Sequence, residues 1–159
     1  MRISVSSFYE RYEKNEKKEE NENAENAERE KTKFPKVTQK PSDFVSDICN
    51  AARDGKLSSV QYLVEIEKEN VETKNRAGWT PLHWASYYGH LDIVKYLVEE
   101  CHRNVEAKDI SGWTPLYWAS YNGHLDIAKY LVEEGHARIT DGIISDAKIN
   151  VKEYLKSKT

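Results

Sequence analysis

The histidines and cysteines are the side chains in this sequence that could bind a metal or take part in catalysis. Cys101 and His102 are adjacent, and His136 follows His102 by 34 positions. A zinc ion bound by cysteine needs ligands at about 2.3 Å. The 34-residue spacing of His102 and His136 matches the sequence repeat described below, which places these two side chains about one repeat apart, too far to share a zinc ion. Neither a CxxC nor an HxxxH pattern occurs. We therefore expect no metal site and no cofactor.

Thr80 and His83 stand three positions apart, a spacing at which a nucleophile could lie beside a general base. A structural interpretation is favoured, because Thr80 precedes a proline at a predicted helix start, where its hydroxyl caps the helix. His90 and His124 each follow a glycine and are interpreted as hydrogen-bonding residues of a turn. Since no glycine-rich phosphate loop or carboxylate pair stands out, the sequence predicts a protein without enzymatic activity.

The 159 residues are unevenly charged along the chain. Residues 1–41 carry ten Lys or Arg and nine Asp or Glu, and between Glu13 and Lys33 the only apolar residues are Ala24 and Ala27. Such a segment cannot bury enough apolar surface to offset its conformational entropy. We expect a disordered, charged N-terminal tail and linker over 1–41.

The remaining residues, 42–159, carry 14 basic and 18 acidic side chains. This mild acidity argues against nucleic-acid binding, which needs clustered positive charge. No run approaches the length of a membrane-spanning helix, so no membrane association is expected, and the first residues lack the apolar core of a secretory signal. Two cysteines are too few for a disulfide framework. These features favour a cytoplasmic protein, with a nuclear location as the alternative.

One segment of the sequence occurs twice. GWTPLHWASYYGHLDIVKYLVEE at 78–100 returns at 112–134 as GWTPLYWASYNGHLDIAKYLVEE, 34 positions later, with 20 of 23 residues identical. The differences are His83/Tyr117, Tyr88/Asn122 and Val94/Ala128. A period near this length with a T-P-L-H-x-A core is typical of stacked pairs of helices.

The repeated segment strongly resembles the ankyrin repeat family, and the core Thr80-Pro81-Leu82-His83-Trp84-Ala85 carries the resemblance. It implies an all-α repeat solenoid, an ankyrin-type stack of helix-turn-helix units with hairpin-like fingers. In the family the threonine and histidine of this motif bond to each other, which assigns that bond to Thr80 and His83. The structural motif positions are Thr80, Pro81, His83, Gly89, Thr114, Pro115 and Gly123.

The resemblance covers about residues 42–157. It divides them into an N-terminal cap repeat at 42–74, repeats at 75–108 and 109–140, and a truncated C-terminal cap at 141–157. Ser46 aligns with Thr80 and is the expected N-cap of the first helix. In the last unit we expect a first helix shortened to roughly 144–147. Glu99, in the second helix of the middle repeat, is expected to face water.

The four tryptophans recur in pairs at the repeat period. Trp84 and Trp118 take a helix position where the family usually has leucine, and we assign them to the inter-repeat core. Trp79 and Trp113 lie at the base of the fingers, where they either bind a partner or only stack along the solenoid. In the binding interpretation, truncating Trp79 and Trp113 abolishes binding at little cost in stability, whereas truncating Trp84 or Trp118 unfolds the array.

The resemblance also implies a binding surface on the concave face and the fingers. The positions that map to it are Arg76, Trp79, Tyr87, Tyr88, Ile110, Trp113, Tyr121 and Asn122. Aromatic residues and arginine are the types that dominate interface energetics. We predict a non-catalytic protein–protein interaction module, a scaffold or adaptor, that acts as a monomer. The alternative is a truncated structural piece of a larger ankyrin array, or a self-associating adaptor that bears the charged tail.

Overall fold

The computed structural model describes residues 34–159, of which Val37–Thr159 form one compact unit. Of the disordered tail and linker predicted over 1–41, residues 1–33 lie outside the described residues, and residues 34–41 form neither helix nor strand. Residues 34–159 contain helices and turns but no β-strand. The helices are α1 (Ile48–Arg53), α2 (Leu57–Glu65), α3 (Pro81–Tyr88), α4 (Leu91–Glu99), α5 (Pro115–Asn122), α6 (Leu125–Glu133), α7 (Asp141–Asp146) and α8 (Ile149–Lys156).

These helices form two rows. The first helix of each unit packs on the first helix of the next, in the order α1, α3, α5, α7, and the second helices follow in the order α2, α4, α6, α8. Each unit contacts mainly its neighbours, which is the arrangement of a solenoid. The all-α repeat fold that the sequence predicts is therefore confirmed.

The first helices of the two complete repeats begin at a threonine followed by a proline. Thr80 Oγ1 and Thr114 Oγ1 each accept a hydrogen bond from the backbone N–H three residues later, at 3.4 Å. Pro81 and Pro115 are the first helical residues, where a missing N–H costs nothing. Local sequence thus sets where each helix begins.

The same helices end at glycines in the left-handed conformation. Gly89 has a φ of 87° and Gly123 a φ of 84°, a region that residues with a Cβ enter at a cost. A Cβ on Gly89 would also lie 2.7 Å from the imidazole of His124, which packs there from the next repeat. Conformation and space both require glycine at this turn.

The histidine of each Gly-His turn joins neighbouring repeats. His124 Nε2 donates to the Tyr87 carbonyl, and His90 Nε2 donates to the Arg53 carbonyl, both at 2.9 Å. Both carbonyls belong to the last turn of a first helix, where the helix itself supplies no donor. The sequence indicated hydrogen-bonding turn residues, and the structure shows that these bonds cross from one repeat to the next.

The apolar core lies between the two rows. Leu63, Leu97, Leu131 and Leu155 occupy the same position in the four second helices, and none has exposed surface. Full burial of such a side chain contributes about 2 kcal/mol. Each unit thus has one leucine layer, at the 34-residue period from Leu63 to Leu131 and only 24 residues later in the shortened last unit.

The start of α1 differs from the sequence prediction. Its N-cap is Asp47, whose carboxylate accepts the Asn50 N–H at 2.7 Å, and not Ser46. Aspartate caps as well as serine does. Alignment to Thr80 therefore misplaced this helix start by one residue, because the first unit has no proline to mark it.

The start of α7 differs as well. The helix begins at Asp141, ahead of the predicted 144, because Thr140 Oγ1 accepts the Ile143 N–H at 3.4 Å and caps it. This third threonine cap is followed by aspartate and glycine. The helix end also comes one residue earlier than expected, at Asp146.

The two threonine caps should differ in strength. Thr80 is buried and its hydroxyl also lies 2.8 Å from His83 Nδ1, whereas Thr114 is half-buried and makes only the capping bond. We expect Thr114→Val to lower the free energy of unfolding by about 1 kcal/mol. Thr80→Val should lose more, about 2 kcal/mol. Urea unfolding of both variants measures the difference, and a larger loss at Thr114 would contradict this ranking.

Candidate partner-binding surface

Two equivalent turns carry the predicted fingers. In the first, Asn75 Oδ1 accepts the backbone N–H groups of Ala77 and Trp79, both at 2.9 Å. In the second, Asp109 Oδ1 makes the same pair of bonds at the same distance. The side-chain oxygen fixes the turn in each case, and we call residues 74–79 and 108–113 the finger turns. The Ile110 N–H then donates to the Ala77 carbonyl at 3.1 Å and holds the two turns together.

Aromatic rings from these turns and from α3 and α5 form one continuous array, in which Tyr117 is buried and the other rings are half-buried or exposed. We call it the aromatic strip, and its members are Trp79, Trp84, Tyr87, Tyr88, Trp113, Tyr117, Trp118 and Tyr121. Trp79 lies at its centre, with ring centroids 4.7 Å from Trp84, 5.3 Å from Tyr87 and 4.9 Å from Trp118. The strip therefore crosses from one repeat to the next without a gap.

The predicted partner-binding residues differ in how far they are exposed. Ile110 is 77 % exposed, and Tyr88 and Tyr121 are each 47 % exposed. Arg76 is also exposed. The other four are half-buried, and they are Trp79, Tyr87, Trp113 and Asn122. The exposed set lines the edges of the strip and is open to a partner.

Asn122 is the predicted residue least available for binding. Its Nδ2 donates to the Trp118 carbonyl at 2.9 Å within its own helix. The equivalent Tyr88 extends outward from α3. The replacement of Tyr88 by Asn122 in the second complete repeat thus leaves the strip without a ring at this position.

The assignment of Trp84 and Trp118 to the buried core is wrong. Both are half-buried and belong to the aromatic strip, where each ring contacts Trp79. The larger indole extends past the buried positions to the surface. The division of the tryptophans into core and surface pairs does not hold, because Trp79 packs as heavily against its neighbours as Trp84 does.

His83 ties the first complete repeat to the next finger turn. The Thr80 N–H lies 3.2 Å from Nδ1 and can only donate, so Nδ1 accepts and the ring proton is on Nε2. Nε2 donates to the Trp113 carbonyl at 3.2 Å. Burial lowers the pKa of His83, and the bond to Trp113 opposes that effect in part. A buried, neutral imidazole with both nitrogens bonded is a structural link and not a general base.

Tyr117 replaces this histidine in the following repeat and makes a different link. Its ring stacks on Trp113 with centroids 3.9 Å apart, and its hydroxyl donates to Asp146 of α7 at 3.1 Å. The longer side chain thus reaches the last unit.

The indole N–H groups of Trp84 and Trp118 are not equally satisfied. Trp118 Nε1 donates to Asp109 Oδ2 at 3.0 Å. Trp84 Nε1 is buried and has no hydrogen-bond partner among residues 34–159. The residue that corresponds to Asp109 is Asn75, whose Oδ1 already serves the turn, so its second terminal atom is a nitrogen that can only donate. A single atom difference therefore leaves one indole without an acceptor.

Tyrosine hydroxyls connect the second helices, a feature that sequence reasoning missed. They donate to a carboxylate of the preceding unit, Tyr96 to Glu65 at 3.2 Å, Tyr130 to Glu99 at 2.9 Å and Tyr154 to Glu133 at 3.1 Å. Glu99 was expected to face water and instead takes part in this contact. Burial raises the pKa of these tyrosines, that of Tyr154 to about 12. In the first two pairs the tyrosine follows the glutamate by 31 residues, and this recurrence carried the signal, whereas Tyr154 follows Glu133 by 21 residues in the shortened last unit.

Other reactive groups lie apart from one another. Within residues 34–159 no three His, Cys, Asp or Glu side chains are placed to hold a metal ion. Cys49 and Cys101 are free, and burial raises the pKa of both thiols, that of Cys49 to about 11. A protonated thiol is a poor nucleophile. In the same part of the chain, every helix is too short or too polar to cross a bilayer.

Comparison with known proteins agrees with this geometry. A family model described as ankyrin repeats (3 copies) matches residues 48–141. The matched span exceeds half of the chain and takes in α1 to α6. A search of the curated proteins found no match. The resemblance given by the Thr-Pro-Leu-His core is confirmed.

The unpaired indole leads to a test by exchange of one atom. We expect Asn75→Asp to raise the free energy of unfolding by about 1 kcal/mol, because it offers Trp84 an acceptor. Asp109→Asn should lower it by about 2 kcal/mol, since it removes the acceptor of Trp118. Urea unfolding gives both values. Asn104→Asp is the control, because Asn104 also fixes a turn, by accepting the Glu106 N–H; equal effects at 75 and 104 would refute the explanation.

The buried imidazole predicts a pH dependence of stability. In the unfolded chain His83 takes up a proton below about pH 6.5, whereas in the folded chain its lowered pKa delays protonation. The unfolded state then binds more protons, so stability falls as the pH falls through this window. We expect a smaller loss between about pH 7.5 and about pH 5.5 in His83→Gln. Urea unfolding at both pH values measures it, with the exposed His102→Asn as control; an unchanged loss in His83→Gln would contradict the assignment.

Proposed function

Because the chain belongs to the ankyrin repeat family, whose repeats are generally protein–protein interaction modules, we propose that it binds a protein partner through the aromatic strip and the two finger turns. It acts by binding and catalyses no reaction. The observation that carries the proposal is the continuity of the aromatic strip across two repeats. A surface of this kind supplies a large contact area at low entropic cost.

The exposed members of the strip support this role. Ile110, Tyr88 and Tyr121 are the exposed large apolar residues of the finger turns, α3 and α5. Contiguous apolar surface is uncommon on a protein that acts alone and is typical of interaction sites. Exposed edges around a packed aromatic centre also fit the anatomy of interfaces, in which a few anchors dominate the energy.

The surfaces of the terminal helices favour a monomer over end-to-end association. In α1 the position equivalent to Trp84 is held by the exposed Asn50, and α8 exposes Asn150, Glu153 and Lys156, with Ile149 as its one exposed large apolar residue. Polar outer faces are what terminal repeats of a solenoid require for solubility. A mass that rises with concentration in sedimentation equilibrium would favour the self-associating alternative.

Binding should depend on the exposed edges of the strip. We expect peptides selected by the wild-type protein from a random display library to lose affinity about tenfold or more in an Ile110→Ser/Tyr121→Ser variant. These two side chains are preferable to Trp79 as probes, since truncating Trp79 would disturb the packing of three neighbouring rings.

The matched control is Ile149→Ser, because Ile149 is 71 % exposed but lies on α8, outside the strip. Fluorescence anisotropy with labelled peptides measures each affinity, and circular dichroism checks that each variant stays folded. If the control weakens binding as much as the double variant does, or if no peptide is selected, the proposed surface is wrong.

A further inference from the structure

The charges beside the aromatic strip indicate what kind of partner fits it, an inference that rests on the proposed function. The exposed charged residues of the finger turns are Lys74, Arg76 and Lys108, and all are basic. The acidic Asp109 is buried and accepts three hydrogen bonds. The edge of the strip that the finger turns form is therefore positively charged, although residues 42–159 as a whole are mildly acidic.

These three cations have no ion-pair partner among the described residues. Other basic side chains do, as Lys56 with Asp43 at 2.6 Å and Arg103 with Glu72 at 3.7 Å show. Three unpaired positive charges on two adjacent turns attract an acidic ligand and raise its association rate. They disfavour a cationic ligand, although aromatic faces alone would accept one.

The tyrosine hydroxyls give a second indication. Tyr96, Tyr117, Tyr130 and Tyr154 each donate to a carboxylate. The hydroxyls of Tyr87, Tyr88 and Tyr121 make no hydrogen bond within residues 34–159. These three are on the aromatic strip, so the strip presents free donors beside apolar rings. A ligand that complements it needs apolar side chains and exposed carbonyl acceptors in the same short segment.

The backbone conformation of a peptide decides whether it can supply both apolar side chains and free carbonyl acceptors. The carbonyls of an α-helix are used within the helix, so a helical ligand offers few acceptors to the phenols. A polyproline II segment has no internal hydrogen bonds, and its carbonyls stay available. Its proline rings pack on aromatic surfaces, and it loses little entropy on binding because the conformation exists beforehand.

The spacing of the repeats also favours polyproline II. Packed helices such as α3 and α5 lie about 8–10 Å apart, and one three-residue turn of polyproline II advances about 9.3 Å. A β-strand presents the same face every two residues, about 6.6–6.8 Å. This distance is shorter than the spacing of about 8–10 Å between packed helices, so its side chains would not meet equivalent rings in successive repeats. A proline at every third position would therefore meet equivalent rings in successive repeats.

We propose that the ligand of the aromatic strip is an acidic, proline-rich peptide segment in the polyproline II conformation, with a proline at every third position on the rings and its acidic residues against Lys74, Arg76 and Lys108.

A competition among designed peptide pools tests the periodicity. Four display pools of equal size have the same number of random positions. They combine two proline spacings, every third or every second position, with two kinds of flanking residues, acidic or basic. We expect the pool with every third proline and acidic flanks to be enriched about tenfold or more over each other pool. Equal enrichment of the every-second pool, or of the basic pool, would overturn the proposal.

A charge reversal tests the basic edge. Peptides from the enriched pool should bind Lys74→Glu/Arg76→Glu about tenfold more weakly than wild type, and rising salt should remove the difference. The control is Lys68→Glu/Lys156→Glu, since both lysines are exposed and lie outside the finger turns. An equal loss in the control would overturn the assignment of the acidic residues to this edge.

The two proposals can be told apart by a fully random library screened in parallel. If it yields peptides that depend on Ile110 and Tyr121 but show no proline periodicity and no acidic bias, the binding surface stands and the polyproline II ligand is wrong. If no peptide depends on those two residues, the proposed function itself is wrong.

Discussion

The packing of a histidine from one repeat on a glycine of the preceding repeat is the contact on which the rest of the array depends. His124 lies where Gly89 has no side chain, and its Nε2 bonds to the Tyr87 carbonyl. Gly55 and His90 repeat the arrangement one unit earlier. The pair brings an imidazole of one repeat into direct contact with the end of the first helix of the preceding repeat. In these two junctions the histidines recur at the 34-residue period, as do Leu63, Leu97 and Leu131.

The end of the array shows the same constraint met by another side chain. Gly123 faces Lys148 and Asn150, and the Asn150 amide donates to the Gly123 carbonyl at 3.0 Å. The last unit has Lys148 where the complete repeats have His90 and His124, yet Asn150 still satisfies a carbonyl near the helix end. The difference between His83 and Tyr117 also matches the unit that follows each residue. His83 bonds to the next finger turn, whereas Tyr117 bonds to α7 of the last unit.

Features fixed by the local backbone could be predicted from the sequence, whereas features fixed by neighbouring units could not. The Thr-Pro helix starts and the left-handed glycines follow from requirements of a few adjacent residues. The half-buried position of Trp118 depends on rings from two repeats, and a leucine at that position in relatives says nothing about where the rest of an indole goes. The cap by Asp47 was missed because serine at 46 matched the period, although aspartate caps equally well. The Tyr130–Glu99 bond required knowing which faces of α4 and α6 meet.

In the function proposed above, the rings of the aromatic strip serve both stability and recognition, and this limits how the surface can work. Trp79 contacts rings of its own repeat and of the next at 4.7–5.3 Å, so it cannot turn to fit different ligands without disturbing the junction. Such a surface loses little entropy on binding, but it offers one fixed shape. Discrimination between partners must then come from the edges, where Tyr88, Tyr121 and Ile110 are exposed and the basic finger turns add charge. Since substitutions of Tyr88, Tyr121 and Ile110 would leave the His-on-Gly junctions in place, specificity in this array can change while the fold is kept.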